Sequence, residues 1–190
     1  MACRFNIGKK IGTGFGVLIV FIIVVFGATF IAVQDGIETF KKNDQTSTEL
    51  IQIITPSKEK ITKLRLLVNE SKQLSIQWVN TQTRNDVPDK LKLNRYIEQN
   101  IPDVIKEIET LTPLWKTPQD TVTFQGVKEK ITELFSYYEQ IMMFLPDISS
   151  YDDALMFMMA NTLTTQDGDI PVMVGKIDQN LLQLQNSFED

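Results

Sequence analysis

The chain reads as all-α, an N-terminal transmembrane helix running into an antiparallel up-down-up-down four-helix bundle. Two observations predict this. Ile11–Val33 is an apolar run of 23 residues without a charge. Beyond it, apolar residues recur at alternating spacings of three and four, and period-2 alternation is nearly absent.

The apolar run comes first. About 20 apolar helical residues cross a bilayer core, so 23 suffice with a little to spare. Arg4, Lys9 and Lys10 precede the run and no acid occurs before Asp35. Positive flanks stay inside, which places residues 1–10 in the cytoplasm and 34–190 outside the cytoplasmic (inner) membrane, single-pass. A cleaved signal peptide has a shorter apolar stretch and a small-x-small end. Here Ala28 and Ala32 enclose bulky Phe30 and Ile31, so an uncleaved anchor is expected. Cys3, the sole cysteine, stands ahead of the run, leaving the outer part without a disulfide.

The first 33 residues hold three cations and no acid, so the remaining 157 carry a net charge of −8. A surface that acidic argues against nucleic acid and against an anionic membrane face as partners. One domain with a real core fits this length.

The bundle helices follow in order, at about 37–83, 88–116, 119–145 and 150–190. Ile61, Leu64, Val68, Ser75 and Trp78 mark the face of the first, which Pro56 interrupts. Ile97, Ile101, Val104, Ile108, Leu111 and Trp115 mark the second. Val127, Ile131, Leu134, Tyr138, Ile141 and Leu145 mark the third. Met173, Ile177, Leu181, Leu184 and Phe188 mark the fourth, with a break near Pro171. Such seams bury themselves against other helices at shallow crossing angles. The turns fall at Thr83–Asp89, Lys116–Gln119 and Pro146–Ser150. Asp86 or Asp89 is expected to cap the second helix, and Ser149 or Ser150 the fourth. Short turns make neighbours antiparallel. Counting residues from the distal turns places Pro56 and Pro171 level with the Pro118 turn. By the same symmetry a second membrane helix is expected near position 194.

Asn6-Ile7-Gly8-Lys9-Lys10-Ile11-Gly12-Thr13-Gly14-Phe15-Gly16, leading into the membrane helix, resembles the start of bacterial methyl-accepting chemotaxis proteins. Pro56, Leu64-Arg65, Tyr151–Ala154 and Pro171 resemble positions in the ligand-sensing bundle of that family. The bundle also recurs in sensor histidine kinases and cyclic-dinucleotide enzymes. The resemblance implies a homodimeric receptor whose outer bundle senses a ligand and shifts a helix. Signal output would lie in a separate cytoplasmic domain. A structural scaffold that recruits envelope partners is the rival reading.

Chemistry-bearing residues are few. Gly12-x-Gly14-x-Gly16 has no preceding strand and so is no dinucleotide loop. Gly8, Gly12 and Gly16, spaced by four, are candidates for a close helix–helix contact in a dimer. With no His and no reactive outward Cys, no enzyme, metal site or cofactor is expected. Met142, Met143, Met156, Met158 and Met159 gather at the membrane-distal end. Methionine clusters can bind soft cuprous ions, but adjacent pairs point their sulfurs apart, so these read as core filling, or as an adaptable surface for an apolar ligand or a periplasmic partner protein. Arg65, Arg84 and Arg95 are the outer arginines. A guanidinium grips carboxylates bidentately, which makes them candidates for an amino- or organic-acid ligand, with Trp78 and Tyr96 beside them. The plain alternative is surface pairing for the arginines and core packing for the aromatics.

Overall fold

The computed structural model describes residues 7–82 and 86–188, with first-helix side chains at 12, 14–34, 36, 37, 41, 48 and from 50 onward. The described residues form helices and turns, with no strand among them. Met1–Leu50 and Ile51–Asp190 are two separate units.

In the first unit, α1 runs from Ile7 to Glu49. Its stretch Gly14–Gln34 has 21 residues, long and apolar enough to cross a membrane, and none is buried within the protein. At 1.5 Å per residue it spans roughly 31 Å, close to the thickness of a hydrocarbon core. The Thr29 hydroxyl donates to the Val25 carbonyl (2.7 Å), so its polar group is satisfied inside the helix.

The second unit contains α2 (Thr55–Asn80), α3 (Pro88–Arg95), α4 (Ile101–Glu109), α5 (Pro118–Phe144), α6 (Ala154–Thr164) and α7 (Asp169–Ser187). Cross-helix pairs fix their directions. Trp115 Nε1 donates to Ser57 Oγ (2.9 Å), Lys60 pairs with Glu107 (2.6 Å), and the Lys90 ammonium lies over the Trp78 ring (4.8 Å). These pairs ascend α2 while descending the other chain, so α3 and α4 are antiparallel to α2. Thr62 with Gln185 and Arg65 with Asp178 make α7 antiparallel as well. Ser71 with Tyr138 and Trp78 with Leu145 share one offset, which sets α5 parallel to α2.

The seam of α5 is buried as its spacing predicts, from Phe124 through Tyr138 to Leu145. The second seam is buried as expected at Ile101, Val104, Ile108 and Trp115 and departs at its start. Tyr96, not Ile97, is buried, and the next buried position is Ile101. Pro102 causes this. Its ring displaces the carbonyl four residues back and it has no N–H to donate, so the preceding turn, Tyr96–Asn100, widens to a π-helix. The extra residue turns a gap of four into five. Pro56 likewise follows a π-helical turn, Leu50–Ile54.

The caps also differ from expectation. α3 starts on Pro88, with Val87 at the N-cap and no side-chain cap, because Pro needs no N–H partner. Ser149 and Ser150 belong to a 3-10 turn, and Asp153 caps α6 by accepting from the N–H groups of Leu155 (2.9 Å) and Met156 (3.2 Å).

The largest departure concerns Pro171. Phe188, not Pro171, reaches the level of the Pro118 turn, where its ring meets Trp115 at 5.2 Å. Residues 154–164 do not descend the unit as expected. They form α6 at the distal end, and α7 then starts afresh, two residues ahead of Pro171. Pro171 therefore sits in a first turn, where a missing N–H costs nothing.

Gly168 permits the restart. A Cβ there would stand 2.4 Å from the Thr162 carbonyl oxygen and 2.7 Å from that of Leu163. Its φ is −74°, so close approach rather than handedness requires glycine. Gly168→Ala is expected to cost about 1–3 kcal/mol by overpacking, read as a lowered urea midpoint.

Candidate functional site

The end of α2, the start of α3 and the 3-10 turn Ser149–Asp152 meet at the distal end. Trp78, Lys90 and Tyr151 are all buried there. Lys90 falls at the position seven before Ile97, on the inner phase of α3 with Leu93 and Tyr96. Its ammonium lies 4.8 Å from the Trp78 ring centre and 5.2 Å from that of Tyr151, and it donates to the Tyr151 hydroxyl (3.2 Å). Two π-faces and one oxygen thus offset part of the cost of desolvating a cation. Burial still pulls the Lys90 pKa below the ordinary lysine value. Burial also raises that of Tyr151, whose hydroxyl donates to the Trp78 carbonyl. Trp78 Nε1 in turn donates to the Leu145 carbonyl (3.3 Å), which ties in the end of α5.

Beside this junction lies a cavity of about 110 Å³ lined by Gln77, Trp78, Thr81, Val87, Asp89 and Lys90. It is smaller than typical small-molecule sites, which start near 300 Å³. Its lining combines an acid, an amide, a hydroxyl and an indole.

Among the described residues, those singled out from the sequence do not converge. Arg65 sits 13 residues before Trp78 on α2, roughly 20 Å away along the axis. Its guanidinium grips an internal carboxylate: Nε and Nη2 donate to Asp178 (2.9 and 3.1 Å), and Nη1 donates to Gln185 (2.7 Å). Asn69 adds a weaker donation to Asp178 (3.4 Å). Bidentate geometry is thus used for helix-to-helix clamping of α2 to α7. Tyr96 donates to Glu70, with Lys92 3.5 Å from the same carboxylate and 5.3 Å from the Tyr96 ring. That hydrogen bond holds the Glu70 carboxyl below the usual range, while burial raises the Tyr96 phenol. Arg95 is exposed at the end of α3. Arg84 lies outside the described residues. Gly12 and Gly16 have open space where a Cβ would stand, and Gly8 lies on the same helix.

The methionines depart from the core-filling expectation. Met142 packs against the core, but Met143, Met156, Met158 and Met159 are exposed. No group of metal-ligating carboxylate, Cys or His side chains occurs among the described residues.

Sequence reasoning missed Lys90, Tyr151 and Asp178. A signal existed for Lys90, a cation on an otherwise apolar heptad position. None existed for Asp178, since its partner is 113 residues away. Comparison with protein-family models, curated proteins and solved structures returns no match.

Two outcomes follow. Arg65 holds the Asp178 carboxyl below the ordinary value, by hydrogen bonding first and charge second. The pair's stabilisation is complete above about pH 4, where unfolded Asp titrates, and fades as pH falls through the lower folded value. Asp178→Asn is therefore expected to lose about 1 kcal/mol at neutral pH, and the gap from wild type should close on acidification in urea titrations. Tyr151→Phe removes the hydroxyl that donates to the buried Trp78 carbonyl and accepts from Lys90, and should cost about 1–3 kcal/mol, visible in urea melts.

Proposed function

We propose that this chain is the sensor (input) region of a bacterial transmembrane transducer of the chemoreceptor type. In this reading Gly14–Gln34 is anchored in the cytoplasmic membrane with the N-terminus inside. The helical unit is an up-down-up-down four-helix bundle outside it, working as a homodimer. The first arm is α2, the second α3 with α4, the third α5 and the last α7, with α6 an insertion at the distal end. The direction pairs above support that arrangement, and the cations ahead of the apolar run support the orientation.

The carrying observation is the coupling of the first and last arms. α2 and α7 lie side by side and are joined by the two-pronged Arg65–Asp178 contact. A ligand that binds one state of the distal end better than another shifts the register of these arms only by its differential affinity. Packed helices hold a few discrete arrangements, so a small shift is readable at the membrane. Pro56 and its π-helical turn stand at the lower end of α2, where a register change meets least resistance. The activity is binding and transmission, with no catalytic step.

A scaffold function is the second reading, and the exposed apolar side chains of α6 favour it. The two separate experimentally. A thermal-shift screen of the chain in lipid nanodiscs, against amino acids, organic acids and small aromatics, should reveal one class that stabilises it. At 100 times the dissociation constant the gain is about 2.7 kcal/mol. A flat screen, together with a stoichiometric protein partner trapped by cross-linking in cells, favours the scaffold.

A further inference from the structure

Residues 131–175 carry seven carboxylates (Glu133, Glu139, Asp147, Asp152, Asp153, Asp167, Asp169) and no Lys or Arg. In their midst, α6 departs from the usual pattern of a surface helix by being apolar on its outer face as well as its inner one. Ala160, Leu163 and Thr164 face inward, while Leu155 and Met158 are 58% exposed and Met159 40%. Residues 155, 158 and 159 share one helix face by their three- and four-residue spacing. This outward stripe is flanked by Asp152 and Asp153 before the helix and Asp167 after it, all exposed. The Asp147 carboxyl is kept ionised by donation from the Ser149 hydroxyl (2.6 Å) and the Ser150 N–H (2.9 Å).

A large thioether-rich stripe left in water carries a free-energy cost that a monomer gains nothing by keeping. A second copy of the same face is a poor cover. Self-pairing would bring together two acidic segments, neither of which contains a Lys or Arg. The complementary surface is apolar in the middle and positive at both ends.

We infer that α6 is a docking surface for a cationic amphipathic helix of a partner protein. That helix would lie along the Leu155–Met158–Met159 stripe and place Lys or Arg near Asp152 and Asp153 at one end and Asp167 at the other. α6 is roughly 16 Å long, so the partner's cations are about three turns apart. Flexible methionines adapt to varied apolar side chains, and the carboxylates select the charge. This inference rests on the surface alone and stands apart from the sensory reading.

The test uses the full chain in phosphatidylcholine nanodiscs with ¹³C-methyl methionine. The probe is a synthetic amphipathic 18-residue helix with a Leu stripe and paired Lys at each end. Titration should shift the Met156, Met158 and Met159 methyl signals and leave that of buried Met173 in place. A scrambled peptide of equal composition should do nothing. Leu155→Gln with Met158→Gln should weaken binding at least about tenfold, and Asp152→Asn with Asp167→Asn several-fold. The second pair should also flatten the salt dependence. All four positions are exposed, and an unchanged circular dichroism spectrum certifies each fold. No methyl shift at millimolar peptide overturns the inference. So do equal shifts with the scrambled peptide. Concentration-dependent methyl shifts without peptide overturn it in favour of self-association.

Discussion

The second unit depends on keeping water out of a stripe of apolar side chains that its helices share. No disulfide helps, because the one cysteine precedes the apolar run. Every buried Leu or Ile contributes roughly 1.5–3 kcal/mol, so the packing itself must carry the fold. Apolar stripes are tolerant of sliding, however, and this one is pinned. Three polar handles cross the core from α2 at different heights: Ser57 to Trp115, Ser71 to Tyr138, and Trp78 to the Leu145 carbonyl. Each would be left desolvated and unpaired by a one-turn slip. No buried side-chain polar atom lacks a partner among the described residues. Tyr138 shows the stringency. Its ring is fully buried, burial pushes its phenol well above the ordinary value, and Ser71 alone meets its hydroxyl at 2.8 Å.

The prolines act on the same register. Pro102 stands inside what reads as one continuous helix, and the chain absorbs it with a single wide turn instead of a break. The consequence is that Tyr96 rather than Ile97 faces the core ahead of the wide turn, while Ile101 keeps its expected place after it. Pro171 costs nothing because α7 starts just before it. The three-and-four pattern is local enough to be read from a linear string. A one-residue insertion in helical winding is not, since its position is set by which side chains the neighbouring helices accept.

At the distal end, charge and exposure separate two kinds of surface. The side of α3 places Lys90 between aromatic rings, and Lys92 beside a ring and a carboxylate. The side of α6 presents sulfur and hydrocarbon to water beside a chain segment that has acids and no Lys or Arg. Of the residues chosen for their chemistry, the four that are described, Arg65, Trp78, Arg95 and Tyr96, do not assemble into one site. Arginine type predicts an appetite for carboxylates, and Arg65 satisfies it inside the protein. Trp78 and Tyr96 were legible as apolar seam members, and both are buried. Whether a methionine fills a core or faces water depends on helix phase: one step along α5 separates Met142, packed against the core, from exposed Met143.

The sequence by itself determined the all-helical class, the apolar N-terminal segment, the seam of α5 and the excess of negative charge. Each of these depends on residue type and short-range spacing. Only the tertiary structure decided that Arg65 meets Asp178, that Lys90 enters an aromatic junction, and that residues 154–164 make a separate distal helix. Those outcomes join positions far apart in the chain. They are settled by which groups must find a partner once water has been expelled, and no local pattern carries that information.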